Sequence, residues 1–369
     1  MKILLLGDYS NYSACLATAL ARAGHSVTVA SDGSGAMNTS RTINLARRVP
    51  GPLGGALLYM RMLTSSALRG YDVVSLISPS FMRLRPQRLR VLFERLRRHN
   101  GAVFLNACGT DKAYMDMVTS ADCPLRYTEY TNPDGTPRTE ARRVLFDDFL
   151  WQQGAIGDFC EYVYDNVDGV TTALYEYDLA MRRRLDDNRV AYVGIPIDLE
   201  AVKPLERTLV SSGKVNMFLG RKSHYQIFKG TDRIGRVAEQ VAADYPDLCT
   251  LTVVEDRPYA EYVSLLRQGD IVLDQLYSYS PATNALLAMA AGQAVLSGGE
   301  PGYYDFIGEH ELQPIINAVP DEDVLYRTLA DLVQHPERIK AAGAAGRRFV
   351  EKHNSADLVA ARCLDFWTR

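Results

Sequence analysis

Two short stretches bring cations and small polar residues together in the pattern that seats a phosphate. In "FLGRKSHYQIFKG", Arg221, Lys222 and Lys229 lie in a loop leaving an apolar strand. In "SYSPATNALL", Ser278, Ser280, Thr283 and Asn284 gather where a helix begins, and Pro281 suits its first turn because the missing N–H costs nothing there. Cations and the positive end of a helix both stabilise negative charge, most strongly where that charge develops late in a reaction. Together they describe a seat for a departing diphosphate. Two plainer readings stand beside it: lysines of a solvated loop, and simple capping by Ser, Thr and Asn. A capped terminus with small neighbours also receives a phosphate, so the second does not compete with the seat.

These residues need a scaffold that holds loop ends in register. The first thirty residues read strand, turn, helix, strand: "KILLLG", "DYSNYSACLATALARAG" and "HSVTVAS". Leu16, Leu20 and Ala23 keep helical spacing after the cap-capable Ser10, Asn11 and Ser13, and Gly24 supplies a stop. "DVVSLI", "AVFLNA" and "DGVTTAL" continue the alternation, which predicts a parallel sheet covered on both faces. After "YVGIPIDLEAVKPLERTLVSSG" the pattern restarts with "KVNMFLG", "GTDRIGRVAEQVAADYP", "CTLTVVE", "AEYVSLLRQG" and "DIVLDQ". The expected architecture is α/β, with two Rossmann-like domains facing across a cleft. Residues 1–205 form the first, residues 206–350 the second, and residues 351–369 a helix packing back on the first. In such folds ligands bind outside the carboxyl ends of the strands. Neither half carries G-x-G-x-x-G or a G-x-x-x-x-G-K-[ST] loop.

With these elements placed, the chain resembles GT-B glycosyltransferases of the family-four (group 1) type. "GRKSHYQIFKG" is similar to that family's glycine-arginine and lysine-glycine elements, which implies diphosphate contacts from Arg221 and Lys229. "EDRPYAEYVSLLRQGDIVLDQLYSYSPATNALLAMAAGQAVLSGG" resembles its donor-site passage, and "GIPIDLEAVKP" its interdomain linker. The pattern departs from the family at two glutamates, whose positions fall on Tyr279 and Leu287, and at the arginine to lysine spacing of eight. The second of those glutamates usually grips the ribose hydroxyls. Glu300, flanked by "SGG" at the next strand end, is the leading replacement, Glu255 a further contact, and Asp274 a brace for its own loop. Tyr277 and Tyr279 either wall the sugar or base or simply pack.

In the first domain, Asp8, Ser10, Asn11 and Tyr12 of "GDYSNYS" are expected on the acceptor side. Asp111 of "NACGTD" resembles a position facing the acceptor hydroxyl, and capping the following helix suits it equally. His25 belongs to ordinary strand entry. The six cysteines are scattered without metal-ligand spacing, which predicts buried free thiols and no metal site.

The net charge of −3 hides an asymmetry: residues 1–110 carry +10 and the remainder −13. The basic excess peaks in "RLRPQRLRVLFERLRRHN", where Arg88, Arg95 and Arg98 lie among Leu89, Val91, Leu92, Phe93 and Leu96. That pattern fits docking on an anionic membrane surface or a solvated helix face. "MKILLLGDYS" is too short for a signal-peptide core, so the chain is expected in the cytoplasm, peripheral at the inner membrane face. The resemblance implies transfer of a sugar from a UDP- or GDP-sugar donor to a glycan or lipid-linked acceptor, as in polysaccharide biosynthesis. It also implies retained anomeric configuration, no cofactor and no nucleic-acid partner. Two rivals are a degenerate chain that binds nucleotide sugar or glycan without turnover and a sugar-nucleotide epimerase.

Overall fold

Strands buried on both faces need unbroken apolar runs, and the computed structural model, which describes residues 1–34 and 37–369, places such runs at the centre of two parallel sheets. The chain divides into two units. Met1–Ala121, Phe146–Pro196 and Ala356–Arg369 form the first, and Asp122–Leu145 with Ile197–Ser355 form the second.

The first unit has seven strands: β1 (Lys2–Leu6), β2 (Ser26–Ser31), β3 (Ile43–Asn44), β4 (Val73–Leu76), β5 (Ala102–Ala107), β6 (Gly169–Thr172) and β7 (Val190–Tyr192). Their order is β3-β2-β1-β4-β5-β6-β7, and Leu5 of β1 pairs with Val29 on one side and Ser75 on the other, both in parallel register. The order reverses direction between β1 and β4, so the crevice beyond their carboxyl ends is the place for a ligand. The final helix, Ala356–Trp367, belongs to this unit. Its Phe366 ring lies 5.7 Å from Phe104, and a Cβ on Gly169 would come within 2.7 Å of that ring, so only glycine lets the helix approach β6 so closely.

The second unit has five strands: β8 (Val215–Arg221), β9 (Cys249–Glu255), β10 (Ile271–Leu273), β11 (Ala294–Ser297) and β12 (Ile316–Asn317). They run β12-β11-β10-β8-β9, all parallel where paired. This is a doubly wound order with its reversal between β8 and β10. The helix Thr231–Asp244 buries Ile234, Val237, Ala238 and Val241 at helical spacing.

The division differs from the expected boundaries in three places, the smallest being residues 351–355, which belong to the second unit. Residues 197–205 belong to the second unit, tied there by Ile197 N–H donating to Asn354 O and Leu205 N–H to Ala291 O. Asp122–Leu145, expected within residues 1–205, also belongs to the second unit. Its Tyr127 and Tyr130 are fully buried, and backbone bridges at Thr128, Thr131 and Pro137 fold it around the turn-forming "NPDG".

The arginine-rich segment forms the helix Pro86–His99, with Leu89, Leu92, Phe93 and Leu96 buried. Several of its arginines work inside the unit. Arg90 stacks 3.8 Å from the Tyr162 ring centroid, and Arg97 donates to Asn166 Oδ1. None of the six cysteines is in a disulfide. Among the described residues no cluster of His, Cys, Asp and Glu could hold a metal, and no helix is long and apolar enough to cross a membrane.

Candidate functional site

The second sheet's reversal point brings together the two stretches that sequence singled out. Beyond β8 the chain runs through Arg221 to Lys229 and enters the helix Thr231–Asp244 through Gly230, whose φ is +69°. Beyond β10 it runs from Asp274 to the helix Thr283–Ala290. The two loops lock at their bases, where Leu276 N–H donates to Lys229 O. A Cβ on Gly230 would stand 2.8 Å from the Tyr277 ring, so glycine is required both for the backbone turn and for the contact.

Lys229 Nζ lies 3.6 Å from Asp274 Oδ1. Asp274 is buried and accepts from Asn284 Nδ2 and Ser297 Oγ, while Asn284 Oδ1 accepts from Tyr262 OH at 2.8 Å. Asp274 therefore braces its loop and leaves Lys229, a third exposed, as the cation beside the helix entrance. Next to it Thr231 is 1% exposed, and its hydroxyl has no hydrogen-bond partner. A buried hydroxyl without a partner costs free energy unless a ligand supplies one. Sequence reading passed over Thr231; its place directly after the lysine-glycine pair was the available signal.

The N-cap of the helix Thr283–Ala290 is Ala282, not one of the expected polar residues. Alanine carries no side-chain acceptor, so this terminus lacks the cap that Ser, Thr or Asn would give there. Thr283 opens the helix, and Ser280 lies buried before it, its carbonyl accepting from Ser278 Oγ.

Arg221 is held differently from Lys229. Its Nε donates to Glu255 Oε2 at 2.5 Å, and Gln226 Nε2 reaches the same oxygen at 3.3 Å. Glu255 therefore neutralises Arg221 across neighbouring strands.

Two further arginines approach these loops. Arg138, from the 122–145 segment, lies 3.8 Å from the Tyr277 ring centroid and donates to Ile227 O. Arg233 donates to Tyr277 OH at 3.1 Å and to Glu322 at 2.9 Å. Burial lowers the Arg138 pKa from its ordinary value, and the like charge of Arg233 acts in the same direction. Crowded, partly desolvated cations of this kind favour a bound anion. Arg138 was not legible as a site residue because nothing in its neighbourhood ties it to loops some ninety positions away.

Glu300 and Tyr279 form a third group. Glu300 is buried and accepts from Tyr127 OH at 2.7 Å, Asn317 Nδ2 at 2.9 Å and Arg126 Nη2 at 3.2 Å. Its carboxylate is thus committed to the 122–145 segment. Tyr279 OH accepts from Tyr127 N–H, the two rings lie 4.9 Å apart, and burial pushes the Tyr279 hydroxyl up to about 12. Leu287 sits half-buried on the helix Thr283–Ala290.

In the first unit, Asp8 is buried and accepts from Ser13 N–H and Thr39 Oγ1. Ser10 and Asn11 adopt positive φ, at 51° and 69°. The buried Tyr12 donates to Gly194 O. Asp111 caps the helix Lys112–Val118 by accepting from Tyr114 N–H, and burial raises its pKa to about 6 against the pull of that bond and of the Tyr164 hydroxyl.

Residues 222–365 match the family described as glycosyl transferase-like. No curated protein matches the sequence. Among solved structures, sucrose-phosphate synthase from Thermosynechococcus elongatus has a TM-score of 0.61 at 14% identity, covering 100% of this chain and 98% of its own. Anabaena HepE, solved with UDP and glucose, gives 0.60 at 11% identity over 100% and 99%. TarM of S. aureus, solved with UDP and alpha-GlcNAc-glycerol among its ligands, gives 0.53 at 9%, covering 80% of this chain; the chain spans 55% of TarM's length. The fold is therefore GT-B, and residues 222–365 are similar to the glycosyl transferase-like family.

Proposed function

We propose that the protein is a glycosyltransferase using a nucleotide-diphosphate sugar. One observation carries the reading: at the reversal point of a sheet matching a glycosyl transferase-like family, Lys229 and the unpartnered Thr231 hydroxyl meet at the start of a fourteen-residue helix. The helix N-terminus and the lysine stabilise the charge that grows on the diphosphate as the glycosidic bond breaks. Arg138 and Arg233 add positive field from the flank. Arg221, paired with Glu255, holds the loop more than it holds the ligand.

In this reading Ser280, Thr283 and Asn284 line the donor loop, and the committed Glu300 positions Tyr127 and Tyr279 behind the sugar. Asp111 orients an acceptor hydroxyl, with Asp8, Ser10, Asn11 and Tyr12 shaping the first unit's crevice. The acceptor is a glycan or a lipid-linked acceptor, the anomeric configuration is retained, and no metal is required. A membrane-peripheral place in the cell belongs to the same reading. Leu287 and Tyr279 favour a second reading, a binding protein without turnover, because neither supplies the family's carboxylate and a leucine cannot hydrogen-bond ribose hydroxyls.

Calorimetric titration with UDP, GDP and their glucose conjugates tests both. Donor binding lost in Lys229→Ala, with slow donor hydrolysis or transfer by the native chain in EDTA, supports the enzyme. Binding without either activity supports the second reading, and no binding of any nucleotide defeats both.

A further inference from the structure

The helix Gly51–Thr64, "GPLGGALLYMRMLT", has Arg61 as its only charged residue. Its inner face buries Gly54, Gly55, Leu58 and Met62. Its position is fixed by the backbone, since a Cβ on Gly54 would overlap Val49 O. The opposite face carries Leu53, Leu57 and Met60, exposed by 62%, 53% and 54%. Spacing of four and three residues aligns them in one stripe. A helix apolar on every side is normally covered on every side, and here the outer stripe is bare.

The surroundings are of one sign. From Arg41 to Arg98 the chain has twelve arginines and two carboxylates, Asp72 and Glu94. Arg61 donates to Asn44 O, Arg47 to Gly51 O and Arg83 O, and Arg88 lies 5.4 Å from the Tyr59 ring, which distributes guanidinium groups along the flanks of this helix. Arg48 and Arg85 are exposed. Glu94 is paired with Arg90.

We propose that this face docks on an anionic lipid bilayer, with Leu53, Leu57 and Met60 entering the interface and the flanking arginines meeting the headgroups. An apolar ridge with a cationic rim is the geometry of an interfacial helix. A protein partner fits less well, because protein hot spots centre on aromatic residues in pockets and this ridge is convex and aliphatic. The membrane contact thus falls on a helix that sequence did not single out. It rests on the membrane-peripheral part of the proposed function, and its test is independent of sugar transfer, since lipid binding is measured without turnover.

Co-sedimentation with vesicles of equal phosphatidylglycerol and phosphatidylcholine, against phosphatidylcholine alone, tests it. The native chain should bind the mixed vesicles at low salt and be released at high salt. The triple variant Leu53→Gln, Leu57→Gln, Met60→Gln should bind about tenfold more weakly or worse, with unchanged Tm and unchanged UDP affinity. If the triple variant loses stability, Arg48→Gln with Arg85→Gln should still weaken binding and flatten the salt dependence. Failure of the native chain to bind mixed vesicles, or equal binding by either variant set, overturns the proposal. A native dimer that the triple variant converts to monomer, with no vesicle binding, also overturns it and assigns the face to a second copy of the chain.

Discussion

The two sheets reverse their strand order in the same way, yet the loops at the two reversal points have opposite character. In the first unit the loop beyond β1 is consumed by its own fold. Asp8 serves Ser13 and Thr39, Tyr9 shares a hydrogen bond with Ser78, and Tyr12 serves Gly194. In the second unit the equivalent loop presents Lys229, and Thr231 keeps an unused hydroxyl. The topology supplies a crevice at both positions; among the described residues the second pairs a lysine with an unpartnered hydroxyl, which is where we propose the anion sits. The overall charge balance points the other way, because the first 110 residues carry the positive excess. Arg90, Arg95, Arg97 and Arg98 sit on a helix, and Arg88 and Arg90 lie against tyrosine rings, so net charge by half says little about where a phosphate goes.

If the contrast is real, Lys229→Ala has the largest effect. Transfer or donor hydrolysis should fall by about 100-fold or more, as for loss of a group aimed at developing charge. Arg221→Ala should cost markedly less, because Glu255 already holds that guanidinium, and Asp8→Asn should leave UDP affinity unchanged in calorimetry. Equal losses for Lys229 and Arg221 would erase the distinction between them.

Next comes Glu300→Ala, which strands Tyr127, Asn317 and Arg126. Removing a buried acceptor with several partners should lower stability by roughly 2–3 kcal/mol, read from urea unfolding. Donor affinity should fall with it because the 122–145 segment loosens.

Asp111→Asn addresses the first unit. Its folded pKa of about 6 lies above the ordinary 3.8, so the folded state holds a proton that the unfolded chain has lost. Stability from this group is present below about pH 4 and declines as pH rises through about 6. Asparagine keeps the cap, so the variant should be more stable at pH 7 by up to about 3 kcal/mol and should lose that slope. If Asp111 also orients the acceptor hydroxyl, kcat falls in the same variant while donor affinity holds.

The smallest effect is expected from Leu287→Glu. The half-buried position tolerates the change within about 0.5 kcal/mol, and a carboxylate there should tighten UDP binding over UMP by no more than tenfold.

Much of this was legible. Unbroken apolar runs at "KILLL" and "VNMFLG" set the central strands, and the sequence singled out Lys229, though together with the helix near Pro281 rather than the one that follows Gly230. What escaped was non-local. "RYTEYTNPDGTPR" has no helical or alternating period, and its burial depends on Glu300, Tyr279 and Ile227, between about ninety and 175 positions away. Glu300 was singled out as a free ligand-facing carboxylate, and its flanking glycines instead admit Ser278 and Ile315 at close range. Leu53, Leu57 and Met60 escaped for the opposite reason: their spacing resembles an ordinary core stripe, and only the fold shows which side is covered.

The 122–145 excursion has a further consequence during synthesis. The chain passes from one unit to the other after Ala121, returns after Leu145, leaves again after Pro196 and returns after Ser355. Tyr127 emerges from the ribosome about 170 residues before the Glu300 that buries it, and β6 waits for Phe366 until the last helix appears. Neither unit can close on its own as the chain elongates, in contrast to the usual domain-by-domain order. Half-finished chains therefore expose apolar surface for most of translation, and separate expression of the two halves cut at residue 196 should yield poorly soluble pieces.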